Sequence, residues 1–255
     1  MLRAMRVTAV VVAAGRGERL GGELPKAFAP LAGRPLLLHA LEALAAAPGI
    51  DRLVPVIAER DRPRLEALAP RLAAVPGLAG AVVGGAERQD SVRAGLEALG
   101  DAEWVAVHDA ARPLVRPEAV ERVIEAARRT GAAIPALPVR ETVKRVAGGW
   151  IRETPRRSEL WSAQTPQVFR ASLLREALAK ARTEGFRGTD DAELVERLGV
   201  RVEVVEGDPE NLKITDRWDL ALAELILQAR SARSTPASAG AERRRSQRAA
   251  GEWSP

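Results

Sequence analysis

The amino-acid sequence predicts an α/β fold, in which a mostly parallel, twisted sheet is flanked by helices. Short apolar runs alternate with longer amphipathic stretches, which is the pattern of repeated βα units. A length of 255 residues suits one large α/β domain. Residues 139–161 break the alternation with a polar segment, which predicts a β-hairpin arm that protrudes from the domain.

In the first half of the chain, each predicted element follows from its pattern. Val7–Ala13 is a continuous apolar run ending at Gly15, as in a buried central strand. Pro35 suits the first turn of a helix that Pro48-Gly49 ends, and Ser91 is a candidate N-cap for a later helix. The same patterns predict strands Leu53–Ala58, Ala79–Val83 and Trp104–His108 and a helical stretch Pro63–Leu72.

The second half begins with a helix, Pro117–Thr130, which Gly131 closes. The next strand, Ala132–Leu137, contains Pro135, so this residue is expected at a sheet edge or an irregularity. In the arm, Gly148-Gly149 separates two short β-like runs, as a hairpin turn does. The elements predicted after the arm are helices Ala171–Thr183 and Asp190–Leu198, strand Val200–Val205 and a last helix near Asp216–Leu227.

Composition narrows the function classes. The chain has no cysteine, which excludes disulfides, thiolate catalysis and zinc–thiolate sites, and two histidines are too few for a histidine-built metal site. Catalysis must then use oxygen and cationic nitrogen groups. No apolar run approaches the roughly 20 residues of a membrane span, and the first strand leaves no room for a leader, so we expect a soluble, cytoplasmic protein without a membrane partner.

The net charge of +5 is concentrated at the C-terminus. Residues 230–255 contain six Arg and two Glu, which leaves 33 basic and 32 acidic residues in 1–229. Residues 1–229 are therefore the predicted folded domain and are not basic enough to indicate nucleic-acid binding. Residues 230–255 lack periodicity and are predicted to form a disordered basic tail.

The first chemical motif is the loop that follows the first strand. It contains Ala13, Ala14, Gly15 and Gly17, and it carries two cations, Arg19 and Lys26. Small residues let backbone N–H groups approach a polyphosphate, and the cations supply charge to its oxygens. The spacing matches neither a Walker loop nor the dinucleotide fingerprint, and on spacing alone a plain tight turn is equally compatible.

The second motif is a carboxylate, Asp109, at the end of the strand Trp104–His108. Open α/β sheets bind ligands beyond the carboxyl ends of their strands, so Asp109 is expected to face the same crevice as the first loop. There it could hold Mg²⁺ bound to phosphate oxygens. The alternatives are an ion pair with Arg112 or a turn-initiating Asp. His108 is interpreted as a packed strand-end residue rather than a base.

A third loop, Gly84 to Ser91, again follows a strand and opens a helix. Its backbone and Ser91 could contact a base or a sugar. A glycine turn with Ser91 acting only as helix cap fits the spacing equally well.

Several motifs together resemble the methylerythritol phosphate cytidylyltransferase family. They are Ala-Ala-Gly-x-Gly-x-Arg with Pro-Lys, Gly-Gly-x-x-Arg-x-x-Ser-Val, His-Asp-Ala-Ala-Arg-Pro, Thr-Val-Lys-Arg, Thr-Pro-Gln, Thr-Asp and Asn-Leu-Lys-Ile-Thr, in that order between Val7 and Leu227. The resemblance implies a nucleotidyltransferase α/β domain, a homodimer built by the arm, and transfer of a cytidylyl group in non-mevalonate isoprenoid synthesis with Mg²⁺.

The resemblance also implies residue roles. Arg19, Lys26 and Lys213 are the expected catalytic cations, and Asp109 is the expected magnesium ligand and a CTP contact. On the arm, Arg157 is expected to bind the acceptor, with its neighbour Arg156 as the alternative. The other expected CTP contacts are Ala13, Ala14, Gly15, Gly17, Gly85, Arg88 and Ser91, and the other expected acceptor contacts are Arg112, Thr142, Thr165 and Thr189.

Two competing functions remain open from the sequence. A ribitol 5-phosphate cytidylyltransferase would share every nucleotide motif and differ only in the acceptor pocket. A regulatory or RNA-associated protein could instead use Arg243-Arg244-Arg245 and Arg248 of the tail. Individual residues also have plain structural interpretations: Thr189-Asp190 could cap a helix, and Lys213 could be a solvated charge.

Overall fold

The computed structural model describes residues 6–15, 24–100 and 102–234. Gly17, Arg19 and most of the predicted tail lie outside these residues. The strands of the described chain are β1 (Val7–Val12), β2 (Pro30–Leu31), β3 (Arg34–Pro35), β4 (Ile50–Ile57), β5 (Val82–Val83), β6 (Trp104–Asp109), β7 (Ala132–Pro138), β8 (Arg145–Ala147), β9 (Trp150–Glu153), β10 (Trp161–Ala163), β11 (Gln167–Arg170) and β12 (Glu203–Glu206).

Eight of these strands form the central sheet. From one end the order is β5, β4, β1, β6, β11, β7 and β12. Strand β10 pairs with the last residues of β7, on the same side of β7 as β11. Only β10 and β11 run against the other strands of this sheet. The predicted mostly parallel sheet is therefore confirmed.

Helices cover both faces of the sheet. They are α1 (Leu36–Ala45), α2 (Arg62–Ala67), α3 (Ala69–Leu72), α4 (Arg88–Glu97), α5 (Pro117–Thr130), α6 (Ala171–Thr183), α7 (Asp191–Glu196) and α8 (Arg217–Ser234). Helices α1 and α5 pack on one face, and α4, α6 and α7 pack on the other. The side chains of β1 alternate accordingly, with Val11 in the first apolar cluster and Val10 in the second. None of the described helices is long and apolar enough to span a membrane.

The predicted arm is present. Among the described strands β8 and β9 pair only with each other, as an antiparallel hairpin, and every residue of both is exposed. Gly148 and Gly149 both have positive φ, as a tight hairpin turn requires. Five large apolar side chains of the arm are exposed: Val143, Val146, Trp150, Ile151 and Trp161.

Pro135 lies at an irregularity, as expected, although β7 is not an edge strand. On one side β7 pairs with β12 from Ala133 to Ala136, and on the other side its partner changes from β11 to β10. Pro135 faces this interruption, where its carbonyl accepts a hydrogen bond from the Gln164 N–H at 2.7 Å. A proline has no N–H to offer a continuous ladder, so the break suits it.

Several predicted boundaries were wrong. Ser91 does not cap α4: Glu87 is the N-cap and forms a reciprocal capping box with Asp90, while the Ser91 hydroxyl donates to the Glu87 carbonyl within the first turn. The strand predicted at Ala79–Val83 is reduced to its last two residues, and Pro63–Leu72 is split at Leu68. Helix α8 runs to Ser234, so the first residues of the predicted tail are helical.

Candidate active site

The carboxyl ends of β1 and β6 lie side by side and form the base of the site. The two strands are parallel neighbours, and Val12 is in register with Asp109. Beyond them the Ala110 N–H donates to the Val12 carbonyl at 3.0 Å, and the Ala13 N–H donates to the Val56 carbonyl at 2.7 Å. The first loop and the strand-end carboxylate therefore share one edge, as the sequence predicted.

Asp109 is buried and bridges two cations. Its Oδ1 accepts from Arg88 Nε at 3.1 Å, and its Oδ2 lies 2.7 Å from Lys213 Nζ. Burial alone would raise the pKa of this carboxyl group. The positive charges of Arg88, Lys213 and Arg112 outweigh burial and lower the pKa well below its ordinary range. Asp109 is thus a permanent anion between cations.

Arg88 contacts a second carboxylate. Its Nη2 donates to Asp191 Oδ2 at 2.8 Å, so one guanidinium joins Asp109 of β6 to Asp191 of α7. Burial alone would lower the Arg88 pKa, but the two carboxylates raise it above its ordinary value. Burial raises the pKa of Asp191 despite its contact with Arg88.

A chain of hydrogen bonds links the Asp109 N–H, through Thr165 and His108, to the Arg112 carbonyl. His108 Nε2 lies 3.0 Å from the Arg112 carbonyl, which can only accept, so Nε2 carries the proton. Burial lowers the His108 pKa to about 4, so the ring is neutral near pH 7 and Nδ1 accepts from the Thr165 hydroxyl at 3.1 Å. Thr165 Oγ1 in turn accepts from the Asp109 N–H at 3.1 Å. The geometry makes His108 a structural support and not a base.

The loop that opens α4 forms the opposite wall. Gly84 packs so tightly that a Cβ there would lie 2.5 Å from Ser91 Oγ and 2.7 Å from the Ala14 Cβ. A Cβ on Gly85 would overlap Asp90. Only glycine allows this backbone to approach the first loop closely.

The loop before α8 brings Lys213 into the site. Asn211 is buried, and its Nδ2 donates to the Thr165 carbonyl at 2.9 Å. Arg112 joins the same loop, because its Nη1 donates to the Asn211 carbonyl at 2.8 Å and its Nη2 donates to the Ala163 carbonyl at 3.1 Å. At the far end, Asp219 accepts from the Thr215 and Asp216 N–H groups at the start of α8. Lys213 is therefore presented by a loop anchored at both ends.

These elements enclose one cleft. In the described part of the chain its wall holds three cations and two carboxylates, an excess of positive charge that suits a polyphosphate. Exposed backbone of the first loop adds N–H donors. The lining residues are Val12, Ala13, Ala14, Gly15, Lys26, Ala27, Gly85, Ala86, Glu87, Arg88, Ser91, Asp109, Ala110, Ala111 and Lys213.

Comparison with known proteins decides the family. The model of the 2-C-methyl-D-erythritol 4-phosphate cytidylyltransferase family (IspD) matches residues 7–229. The chain belongs to this family. It is 46% identical to the 2-C-methyl-D-erythritol 4-phosphate cytidylyltransferase of Syntrophotalea carbinolica over 88% of this chain and 97% of that protein. It is therefore a nucleotidyltransferase.

Two solved structures share the fold. One is the 4-diphosphocytidyl-2C-methyl-D-erythritol synthase of Anaerococcus prevotii, with a TM-score of 0.78 and 30% identity over 89% of this chain and all of that one. The other is the 2-C-methyl-D-erythritol 4-phosphate cytidylyltransferase of Thermus thermophilus, with a TM-score of 0.71 and 38% identity over 88% of this chain and all of that one. The cleft thus lies in a cytidylyltransferase domain.

The cleft gathers most of the residues expected from the cytidylyltransferase motifs. It does not include Thr142 or Arg157, which are exposed on the arm, where Arg157 Nη1 donates to the Arg140 carbonyl at 2.9 Å. The alternative, Arg156, contacts Glu159. Arg112, Thr165 and Thr189 are also outside the lining. Both the N–H and the hydroxyl of Thr189 donate to Glu193. The N-cap of α7 is Asp190, so the structural interpretation of the Thr189-Asp190 pair as a helix cap is confirmed for Asp190.

Sequence reasoning missed Asp191, Gln167 and Asn211 as supports of this cytidylyltransferase site. All three are buried polar residues: Asp191 contacts Arg88, Asn211 contacts the Thr165 carbonyl, and Gln167 holds the backbone of Asp191. Gln167 and Asn211 stand in motifs that the sequence did single out, Thr-Pro-Gln and Asn-Leu-Lys-Ile-Thr. Asp191 follows the Thr189-Asp190 pair, and the sequence indicated only a charged residue near the start of a helix.

Proposed function

We propose that this chain transfers the cytidylyl group of CTP to 2-C-methyl-D-erythritol 4-phosphate, which gives 4-diphosphocytidyl-2-C-methyl-D-erythritol and pyrophosphate in non-mevalonate isoprenoid biosynthesis. The observation that supports this most strongly is the meeting of Lys26, Arg88, Asp109 and Lys213 in one cleft of a chain from this family. The family description names the methylerythritol acceptor, which favours it over ribitol 5-phosphate.

In the proposed reaction, a phosphate oxygen of the acceptor attacks the α-phosphorus of CTP. The new O–P bond forms as the bond from the α-phosphorus to the bridging oxygen breaks, and pyrophosphate leaves with that electron pair. The acceptor phosphate is already an anion near neutral pH, so no general base is required. Positioning and charge neutralisation then provide the catalysis.

The cleft residues have the chemistry for these roles. Lys26 lies on a short 3-10 turn at the cleft wall, where it can neutralise charge on the α-phosphate together with Arg19. Lys213 also lines the cleft and can orient the acceptor phosphate. We assign nucleotide contacts to Arg88 and to the small residues of the wall, because small side chains let a ligand approach the wall closely: Ala13, Ala14, Gly15, Gly85 and Ser91.

The donor set fits a magnesium ion that arrives with the nucleotide. Among the described residues there is no cluster of three His, Cys, Asp or Glu side chains that could form an all-protein metal site. Mg²⁺ commonly binds through one or two carboxylates plus substrate phosphates, and Asp109 offers one carboxylate with lone pairs beyond its two ion pairs. When bound, Mg²⁺ would supply positive charge to the phosphate oxygens that become more negative as pyrophosphate leaves.

The arm supports a proposed homodimer. Its exposed Val146, Trp150 and Ile151 have 55%, 76% and 62% of their surfaces accessible, an apolar set that one copy leaves uncovered. In the dimer, Thr142 and Arg157 would reach the acceptor site of the second copy. We place the reaction in the cytoplasm, where CTP is supplied.

Measuring pyrophosphate release with each acceptor tests the proposed specificity. With CTP fixed, 2-C-methyl-D-erythritol 4-phosphate should support turnover and ribitol 5-phosphate should give at most a few per cent of that rate. Equal or faster turnover with ribitol 5-phosphate would replace the proposed acceptor. Sedimentation of wild type and Trp150→Ser should show a dimer that the substitution weakens, and a wild-type monomer would refute the arm's role.

A further inference from the structure

Asp191 is a buried carboxylate with a single cationic partner. It is the first residue of α7, and its side chain is 1% exposed. Its Oδ2 accepts from Arg88 Nη2 at 2.8 Å, while Oδ1 has no hydrogen-bond partner among the described residues. Burying a carboxylate costs free energy, and an apolar residue of similar size would stabilise the fold at least as well. What sets Asp191 apart from a merely tolerated buried carboxylate is that its partner, Arg88, lines the cleft.

The backbone of Asp191 is fixed to the central sheet. Its N–H and the Ala192 N–H both donate to Gln167 Oε1, at 3.2 and 3.0 Å. Gln167 is 1% exposed and lies on β11, in register with Val107 of the strand that carries Asp109. Gln167 Nε2 also donates to Asp190 Oδ2 at 2.7 Å. Asp191 is thus held at a set position relative to Asp109.

Arg88 needs this second anchor. Its side chain is long and flexible and is 29% exposed at the cleft wall. Asp109 is shared between Arg88 and Lys213, whereas Arg88 is the only ion-pair partner of Asp191 among the described residues. A cation brought to Asp109 with the nucleotide would compete with Arg88 for that carboxylate, whereas the contact of Arg88 with Asp191 would remain.

We infer that Asp191 is a positioning residue that acts through Arg88, fixing the guanidinium at the cleft wall so that it is preset for the phosphates of the nucleotide. This inference rests on the proposed function. It assigns Asp191 no contact with substrate. Its effect should therefore appear in nucleotide binding and should depend on Arg88.

The test is Asp191→Asn in the full chain, with Asp61→Asn as matched control. Asp61 is also completely buried, has one oxygen 3.1 Å from an arginine (Arg64 Nη1) and has its other oxygen unpartnered among the described residues, yet it does not line the cleft. We expect D191N to weaken CTP binding, measured by calorimetry, and to lower kcat/KM for CTP by about 10–100-fold, as removal of orienting partners commonly does. The KM for the acceptor should stay within about twofold. D61N should lower thermal stability without changing either CTP value.

Dependence on Arg88 is tested in an Arg88→Met background. There D191N should cause no further loss of CTP affinity, and it should raise thermal stability by removing an unpaired buried carboxylate. Arg88→Lys changes the other partner of the same contact and should also weaken CTP binding. This variant tests the inference even if D191N does not fold. Unchanged CTP affinity in D191N or R88K, or an equal loss from D191N in the R88M background, would overturn the inference. A wild-type chain that binds CTP but does not turn over would instead count against the proposed function.

Discussion

Lys213 Nζ lies 2.7 Å from Asp109 Oδ2, which joins the loop before α8 to the end of the central strand β6. These residues come from distant parts of the sequence, and the ion pair closes one side of the cleft. Asp109 also binds Arg88 through its other oxygen, so this one carboxylate holds two of the cations that line the cleft.

Asp109→Asn should reduce kcat/KM for CTP by at least about 100-fold, because the substitution removes the proposed magnesium ligand and the common partner of two cations. Steady-state kinetics over a range of magnesium concentrations checks this, with thermal unfolding as the control for folding. Turnover within about threefold of wild type at all magnesium concentrations would show that Asp109 has no such role.

Lys26→Ala should lower kcat by about 100-fold or more while the fold stays intact, since a cation at the α-phosphate acts mainly in the transition state. The matched control is Lys180→Ala on α6, whose side chain contacts the Arg197 carbonyl outside the cleft. The control should retain wild-type kinetics. If K26A retained wild-type turnover, the catalytic role assigned to Lys26 would be wrong.

Thr165→Val should lose both activity and stability, whereas Thr165→Ser should keep both near wild type. Valine keeps the shape but removes the hydroxyl, which leaves the Asp109 N–H and His108 Nδ1 without partners. Buried groups left unpaired cost about 1–3 kcal/mol, so unfolding by urea should detect the change. Equal behaviour of the two variants would show that the hydrogen-bond chain does not support Asp109.

Glu210 should give an acid-dependent contribution to stability. Hydrogen bonds from Arg116 and Arg230 lower its pKa from 4.5 to about 2. A lowered folded-state pKa stabilises the protein above the unfolded value, and this contribution is lost as the pH falls from about 4.5 to about 2. The free energy of unfolding of wild type should therefore exceed that of Glu210→Gln by about 1 kcal/mol at pH 7, after allowance for solvent screening. Urea unfolding at several pH values should show this difference shrinking between about pH 4.5 and about pH 3. A gap that does not vary with pH would contradict this account.

The sequence predicted the site best where the chemistry is local. The position of Asp109 at the end of β6, beside the loop that follows β1, follows from the rule that parallel strands present their carboxyl ends at one edge. Ser91 was misassigned because Glu87 and Ser91 are both plausible cap residues, and the choice depends on the capping box with Asp90.

The long-range contacts could not be predicted in the same way. A sequence of many Arg and Asp residues does not show that Arg88 pairs with Asp191, since the pairing depends on how α7 is placed by Gln167. The antiparallel strands β10 and β11 were missed for a related reason. They are short, they flank the Thr165–Pro166 pair, and they acquire strand geometry by pairing with β7 and β6.

The most direct test of the central claim is a crystal structure of this chain with CTP and magnesium. We expect the triphosphate in the cleft between the first loop and the loop before α8, with an α-phosphate oxygen within about 3 Å of Lys26 Nζ and the metal on Asp109. A triphosphate bound elsewhere, with Asp109 still paired only to Arg88 and Lys213, would contradict the account.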